Sequence, residues 1–204
     1  MEELREELKK EPMTSVLLIL NVLVFLIVEI TGGSEKIEHM LKFGAAYTPL
    51  ILEQGEWYRL ITCMFLHFGI SHLVNNMLLL FVLGGRLERT VGKLRFLFIY
   101  FIGGVAGNLV SLAVDLKTLD FAVSAGASGA IFAVMGAMIY VVLRKRGRVE
   151  DLTTRQMLIM AALSLYFGLT SSGVDNAAHI GGLLSGFLIT VLLYHPRKIR
   201  TSVP

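Results

Sequence analysis

Six stretches of this 204-residue chain run for 17 to 19 residues with almost no charged side chain: 13–30, 69–85, 96–114, 125–143, 157–174 and 176–194. Glu29 is the only Asp, Glu, Lys or Arg within them. A hydrocarbon core of ~30 Å is crossed by roughly 17–25 helical residues, so each stretch reads as a membrane span. Barrel strands are about 10 residues long and alternate in polarity, which these runs do not. Composition agrees, with 54% hydrophobic and 17% charged residues. A soluble domain carries about 25% charged residues to wet its surface. The sequence therefore predicts an all-α polytopic membrane protein, a single six-helix domain over residues 1–204 with tails at 1–12 and 195–204. A mixed acidic and basic segment precedes the first run, and no A-x-A-like site follows Ile30 at once, so that run is read as a retained helix rather than a signal peptide. Twenty glycines suit helices packed closely in lipid. The single cysteine, Cys63, excludes an intrachain disulfide or a multi-cysteine metal site.

The basic residues orient the spans. Fifteen of nineteen fall on one side: Arg5, Lys9, Lys10, Arg86, Arg89, Lys93, Arg95, Arg144, Lys145, Arg146, Arg148, Arg155, Arg197, Lys198 and Arg200. Lys36, Lys42, Arg59 and Lys117 fall on the other. Both termini are thus predicted in the cytoplasm. The net charge of +3 is a topology signal, and nucleic acid is excluded as a partner. The long link at residues 31–68, rich in Phe, Tyr and Trp, is expected to lie in the outer interface.

Polar groups at membrane depth are costly and concentrate at functional sites. Here they are Asn21, His72, Asn75, Asn76, Asn108, Ser111, Ser124, Ser128, Ser164, His179 and Ser185. The second, fourth and sixth spans run from outside to inside, and His72 with Asn76, Ser128 and His179 stand near their starts. These side chains therefore share one depth in the outer leaflet. A serine hydroxyl becomes a nucleophile when a neighbouring imidazole takes its proton. His72 and Asn76, at i and i+4, present two donors on one helical face for a developing oxyanion. Gly126 and Gly129 flank Ser128 and let the chain turn sharply into a helix with the hydroxyl unobstructed. His179, Gly182 and Gly186 share a face that can approach Gly129, Ala133 and Gly136 or Ala137. Simple small-xxx-small packing explains these glycines, but not an imidazole set opposite a hydroxyl.

These residues resemble the rhomboid family of intramembrane serine proteases, with motifs over about residues 57–186 and a six-helix layout over nearly the whole chain. With no further helix before or after the six, the layout resembles the family's compact prokaryotic form. The GxSG motif appears as Gly126-Ala127-Ser128-Gly129 and implies that Ser128 is the nucleophile. Ala178-His179-Ile180-Gly181-Gly182 implies that His179 is the general base, in a Ser-His dyad. His72-Leu73-Val74-Asn75-Asn76 implies oxyanion roles for His72 and Asn76 beside the Ser128 backbone. Trp57-Tyr58-Arg59 resembles the Trp-Arg motif of the first loop with one residue inserted, implying a partly embedded loop with Arg59 as a scaffold residue. Gly84-Gly85-Arg86-Leu87-Glu88 looks like the family's end of the second helix. Phe132 stands where many members carry Tyr; it keeps a ring to stack on the imidazole and loses a hydroxyl.

The resemblance implies cleavage of peptide bonds in or near transmembrane helices of membrane-protein substrates, without a cofactor or metal. It also implies a multi-pass protein of the cell membrane, with its site open to the extracytoplasmic side. Lateral access beside the second and fifth helices, capped by residues 171–175, follows from the same resemblance, as does a preference for small residues at the cut. A non-catalytic relative that binds and escorts membrane helices is a second reading, and a small transporter a third. The hydrolase pattern G-x-S-x-G and the zinc motif H-E-x-x-H are both absent. A metal held by His67, His72 and His179 is a minor alternative. Asp175 is read as an outer-loop residue, His39 as a loop residue, His67 as interfacial and structural, His195 as terminal, and Cys63 as a small buried hydrophobe.

Overall fold

Each apolar run forms a helix in the computed structural model, which describes residues 11–195. The tail residues used above for orientation, Arg5, Lys9, Lys10, Arg197, Lys198 and Arg200, lie outside the described residues. Helix α1 spans Pro12–Thr31. The link after it folds into short pieces: α2 (Ile37–Lys42), α3 (Thr48–Glu53), α4 (Arg59–Thr62) and a 3₁₀ turn at Cys63–Phe65. Next come α5 (Gly69–Leu79), a π turn at Leu80–Gly84, and α6 (Gly85–Val91) in one continuous run. Then follow α7 (Lys93–Thr118), α8 (Ser128–Arg144), α9 (Thr154–Thr170) and α10 (Asn176–Leu193). Four runs are long and apolar enough to cross a membrane: α1, α5–α6, α7 and α10. Helices α8 and α9 have 17 residues each, about 25 Å at 1.5 Å per residue, the short end of a bilayer-crossing length.

Several boundaries differ from the hydropathy windows, for local reasons. The second run continues past residue 85 to Val91, and α7 begins at Lys93, because only Gly92, at φ +90°, breaks the helix. Charged residues had marked the expected ends, yet long side chains such as Arg86 and Lys93 are carried on helix without interrupting it. Helix α9 starts at residue 154 rather than 157. There the Gln156 N–H donates to Thr153 Oγ1 (3.3 Å) and the Thr153 N–H donates to Gln156 Oε1 (2.9 Å), a capping box. The structure also adds an element to the expected all-α fold: a hairpin of β1 (Arg148–Val149) and β2 (Leu152–Thr153) between α8 and α9.

The core is organised around α8. Thirteen of its residues are buried, whereas Leu23, Ile27, Phe98, Leu184 and Leu188 on α1, α7 and α10 face outward. Outward-facing leucines and phenylalanines are what a helix surface in contact with lipid requires. Small residues let the backbones close around α8. A Cβ built on Gly186 would stand 2.5 Å from the Ala133 carbonyl carbon, and one on Gly136 would stand 2.9 Å from that of Leu183. Helix α7 joins this packing through Gly103 and Gly104, which abut Ala133 and Ala130. The third helix's part in it was not anticipated from sequence.

At the end of the bundle away from Ser128, Glu88 fastens α6 to the start of α1. Its carboxylate accepts from the backbone N–H of Met13 (3.0 Å) and Thr14 (2.8 Å) and from Thr14 Oγ1 (2.9 Å). Pro12 has no N–H to satisfy, so Glu88 covers the next two free donors, where the helix dipole also favours an anion. Arg89 pairs with Glu11 and, at 2.8 and 3.0 Å, with Glu150. Arg86 holds Asp151 at 3.1 Å through two nitrogens and keeps its carboxyl below the usual carboxylate range.

Candidate active site

Ser128 is the first residue of α8, and the chain reaches it through Gly126 at φ +149°. A side chain there would be strained, and its Cβ would lie 2.8 Å from His72 Cε1. Glycine is thus required both by the turn and by the imidazole against it. The N-cap residue, Ala127, has no side-chain oxygen, and the first intrahelical bond is from Ile131 N–H to Ala127 O at 2.9 Å. The N–H groups of Ser128, Gly129 and Ala130 therefore have no intrahelical acceptor, and they carry the positive end of the helix dipole.

His179 lies one turn into α10, and its Nε2 is 2.8 Å from Ser128 Oγ. That is the separation at which a hydroxyl donates to a neutral imidazole. The approach depends on the glycines: a Cβ at Gly182 would collide with the Gly129 carbonyl oxygen, so α8 and α10 could not come this close. The imidazole stacks on Phe132, with ring centroids 4.2 Å apart and planes at 14°. His179 Nδ1 is buried with no hydrogen-bond partner among the described residues. Among the described residues the ring is oriented by stacking on Phe132 and by the Ser128 hydroxyl, with no carboxylate hydrogen-bonded to it.

His72 and Asn76 occupy one face of α5, where Asn76 Nδ2 donates to the His72 carbonyl oxygen at 2.9 Å. His72 reaches Gly126, so the structure gathers His72, Gly126, Ser128, Phe132 and His179 at one end of the bundle. Arg59 and Trp57 stand apart from this group. Arg59 is 5% exposed and ties the first loop, with Nη1 donating at 2.8 Å to the carbonyls of Leu41 and Ala45 and Nε donating to Glu56 at 2.5 Å. Trp57 is 52% exposed. Glu88 is at the opposite end, fastening α1.

Some residues near the site were undervalued in the sequence. His67 is buried edge-on to His72, with ring centroids 5.2 Å apart, and its Nε2 accepts from the Ala127 N–H at 3.4 Å. Burial, reinforced by the facing His72, pushes the His67 imidazole down to about 3, so it is neutral and able to accept that bond. Its spacing of five from His72 was the available signal. Asp175, read as a loop residue, is the N-cap of α10: its Oδ1 accepts from the Ala178 N–H at 2.9 Å. An acidic residue four before the histidine, at the start of an apolar run, was the cap signature. Cys63 is buried beneath Asn108, and burial pushes its thiol up to about 12, which suits a packing residue. Glu29 accepts from the Ser34 N–H (2.9 Å) and hydroxyl (2.5 Å), closing the turn after α1. Among the described residues, no group of three or more His, Cys, Asp or Glu is arranged to hold a metal ion.

Comparison with known proteins adds independent information. The rhomboid domain family model matches residues 54–196. The chain is 39% identical over 188 residues to the rhomboid protease GluP of Bacillus subtilis, covering 92% of this chain and 36% of that protein. It is 40% identical over 159 residues to RHOMBOID-like protein 5 of Arabidopsis thaliana, covering 76% of this chain and 50% of the other. With the rhomboid protease AarA of Providencia stuartii it shares 35% identity over 215 residues, covering 93% and 75%. The chain thus spans about a third of GluP and half of the Arabidopsis protein.

Proposed function

The chain belongs to the rhomboid family and is a multi-pass membrane protein, and from that premise we propose that it is an intramembrane serine endopeptidase with Ser128 as nucleophile and His179 as general base. The observation that carries this reading is the 2.8 Å contact between Ser128 Oγ and His179 Nε2 at an uncapped helix N-terminus. The substrates are membrane proteins cut in or near a transmembrane helix. The whole chain acts as one six-helix membrane domain, with α8 and α9 as its shortest spans. Both termini are cytoplasmic and the site opens to the extracytoplasmic side of the cell membrane. The distribution of Lys and Arg supports that orientation.

As Ser128 Oγ bonds to the scissile carbonyl carbon, His179 Nε2 takes its proton and the carbonyl π pair moves onto oxygen. The N–H groups at the start of α8, with His72 and Asn76, meet that negative charge. The imidazolium then gives its proton to the leaving amine as the C–N bond breaks, leaving an acyl-serine. Water, deprotonated by the same imidazole, attacks the ester, and Ser128 regains its proton as the acid departs. A helical substrate must unwind here, because its carbonyls are engaged within the helix. The weakly held α9 supports lateral access beside that helix, with residues 171–175 above it.

The test is cleavage of a single-span substrate in liposomes by wild type, by Ser128→Ala, and by wild type with a metal chelator. Wild type should cut with or without chelator, and Ser128→Ala should fall by at least about 10³-fold. Equal cleavage by Ser128→Ala would overturn the serine mechanism. Substrate binding without cleavage by wild type would favour the escort reading.

A further inference from the structure

Two ties meet at Asp175, outside the group that does the chemistry. While Oδ1 caps α10, Oδ2 accepts from Ser111 Oγ of α7 at 2.6 Å and from Ser124 Oγ at 2.9 Å. Ser124 precedes Ser128 by four residues, as Asp175 precedes His179 by four. The hydrogen bond between Ser124 and Asp175 thus joins the segment leading to the nucleophile to the first residue before the helix of the base. Ser124 is also held by its backbone: Ala46 N–H donates to Ser124 O at 2.8 Å and Ser124 N–H donates to Ala46 O at 2.9 Å. The neighbouring Ala45 carbonyl is one of the two gripped by Arg59.

We propose that Asp175 is a positioning residue that, through Ser124, fixes the spacing between the loop carrying Ser128 and the helix carrying His179, and links that spacing to the Arg59-braced first loop. This rests on the serine protease reading above. The carboxylate acts as a three-donor clamp and not as the third member of a triad, since no bond joins it to the His179 ring. A carboxylate has about four acceptor sites, so two hydroxyls and a backbone N–H are accommodated at once, and bonds to an ionised acceptor are the stronger kind. Among the described residues, the side-chain hydrogen bond between α8 and α10 is that of the reacting pair itself, Ser128 Oγ with His179 Nε2, so a tie that survives proton transfer has to come from outside that pair. Glycine contacts set how near the two helices come; the Asp175–Ser124 bond sets where along each other they stop.

Displacing a reacting group by about 1 Å costs on the order of 10²-fold in rate, so a loosened tie should lower kcat and leave KM nearly unchanged. Three variants separate the tie from the cap. Ser124→Ala removes the tie and keeps the cap. Asp175→Thr keeps an N-cap oxygen but is too short to reach both serines. Ser124→Thr restores the hydroxyl. In liposomes with a single-span substrate, the first two should lower kcat about tenfold or more, with KM within about twofold of wild type. Ser124→Thr should recover most of that loss. The rate at which a fluorophosphonate labels Ser128 should fall in step with kcat, while the unfolding midpoint of Ser124→Ala stays put. Unchanged kcat in Ser124→Ala and Asp175→Thr, or losses that merely follow the folded fraction, would overturn the inference. Ser128→Ala run alongside separates the two claims: cleavage that needs Ser128 but not the tie sinks only the positioning role, whereas cleavage without Ser128 sinks the protease reading beneath it.

Discussion

Helices α8 and α9 are each 17 residues long, yet thirteen residues of α8 are buried against protein and only Met157, Ala161 and Gly168 of α9. Helix α8 is the more apolar of the two, but apolarity alone does not bury a helix, because in lipid an outward leucine is as well solvated as an inward one. Small residues on two sides do. Gly129, Ala133 and Gly136 admit the backbone of α10, while Ala130 and Ala133 meet Gly104 and Gly103 of α7. The proposed nucleophile is mounted on the helix that is fixed all round, and the helix beside the proposed substrate path has only a narrow stripe of contact. Rigidity is therefore placed where reacting atoms must meet within tenths of an ångström.

The largest break in this contrast is expected from Gly186→Val. Its Cβ would be driven into the Ala133 backbone, which cannot rotate away as a side chain can. Loss of the folded peak in size-exclusion chromatography and of fluorophosphonate labelling should follow, and a folded, labelled variant would show that α10 is free to stand off from α8. Met135→Ala in α8 comes next. Met135 is fully buried, and the cavity left should cost about 2 kcal/mol, some 4–8 °C in the unfolding midpoint. A matching deletion in α9, Leu163→Ala, should move the midpoint by under about 1 °C, because Leu163 is half exposed to the lipid side. Similar midpoints for the last two would erase the distinction between fixed and loosely held helix.

Much of this was legible in advance, and the exceptions share a cause. Long apolar runs are set by the bilayer, so the four helices long and apolar enough to cross a membrane could be read from the runs themselves. The meeting of Ser128 with His179, and of Gly182 and Gly186 with Gly129 and Ala133, followed from depth and from small-residue spacing, both local properties of sequence. Pairings between distant polar residues carry no such mark. Arg86 and Arg89 were read as orientation charges, although they hold Asp151 and Glu150 across the bundle end. Glu88 gave no hint that it covers the start of α1. Asp175 could be suspected of capping, but its bonds to Ser111 and Ser124 cross 64 and 51 residues. The centrality of α8 was hidden for the opposite reason: lipid and protein neighbours select the same apolar side chains, and only packing tells them apart.

The π turn at Leu80–Gly84 has a consequence of phase. One residue added to a helical turn rotates everything beyond it by about 100°. Before the turn, His72 faces Gly126 in the Ser128 segment; after it, Glu88 is turned toward the N-terminus of α1. In an uninterrupted α-helix of this sequence, the two faces would be out of step and one would miss its target. The wide turn works as a coupling between two angular settings, so that a single run through the membrane points correctly at both ends.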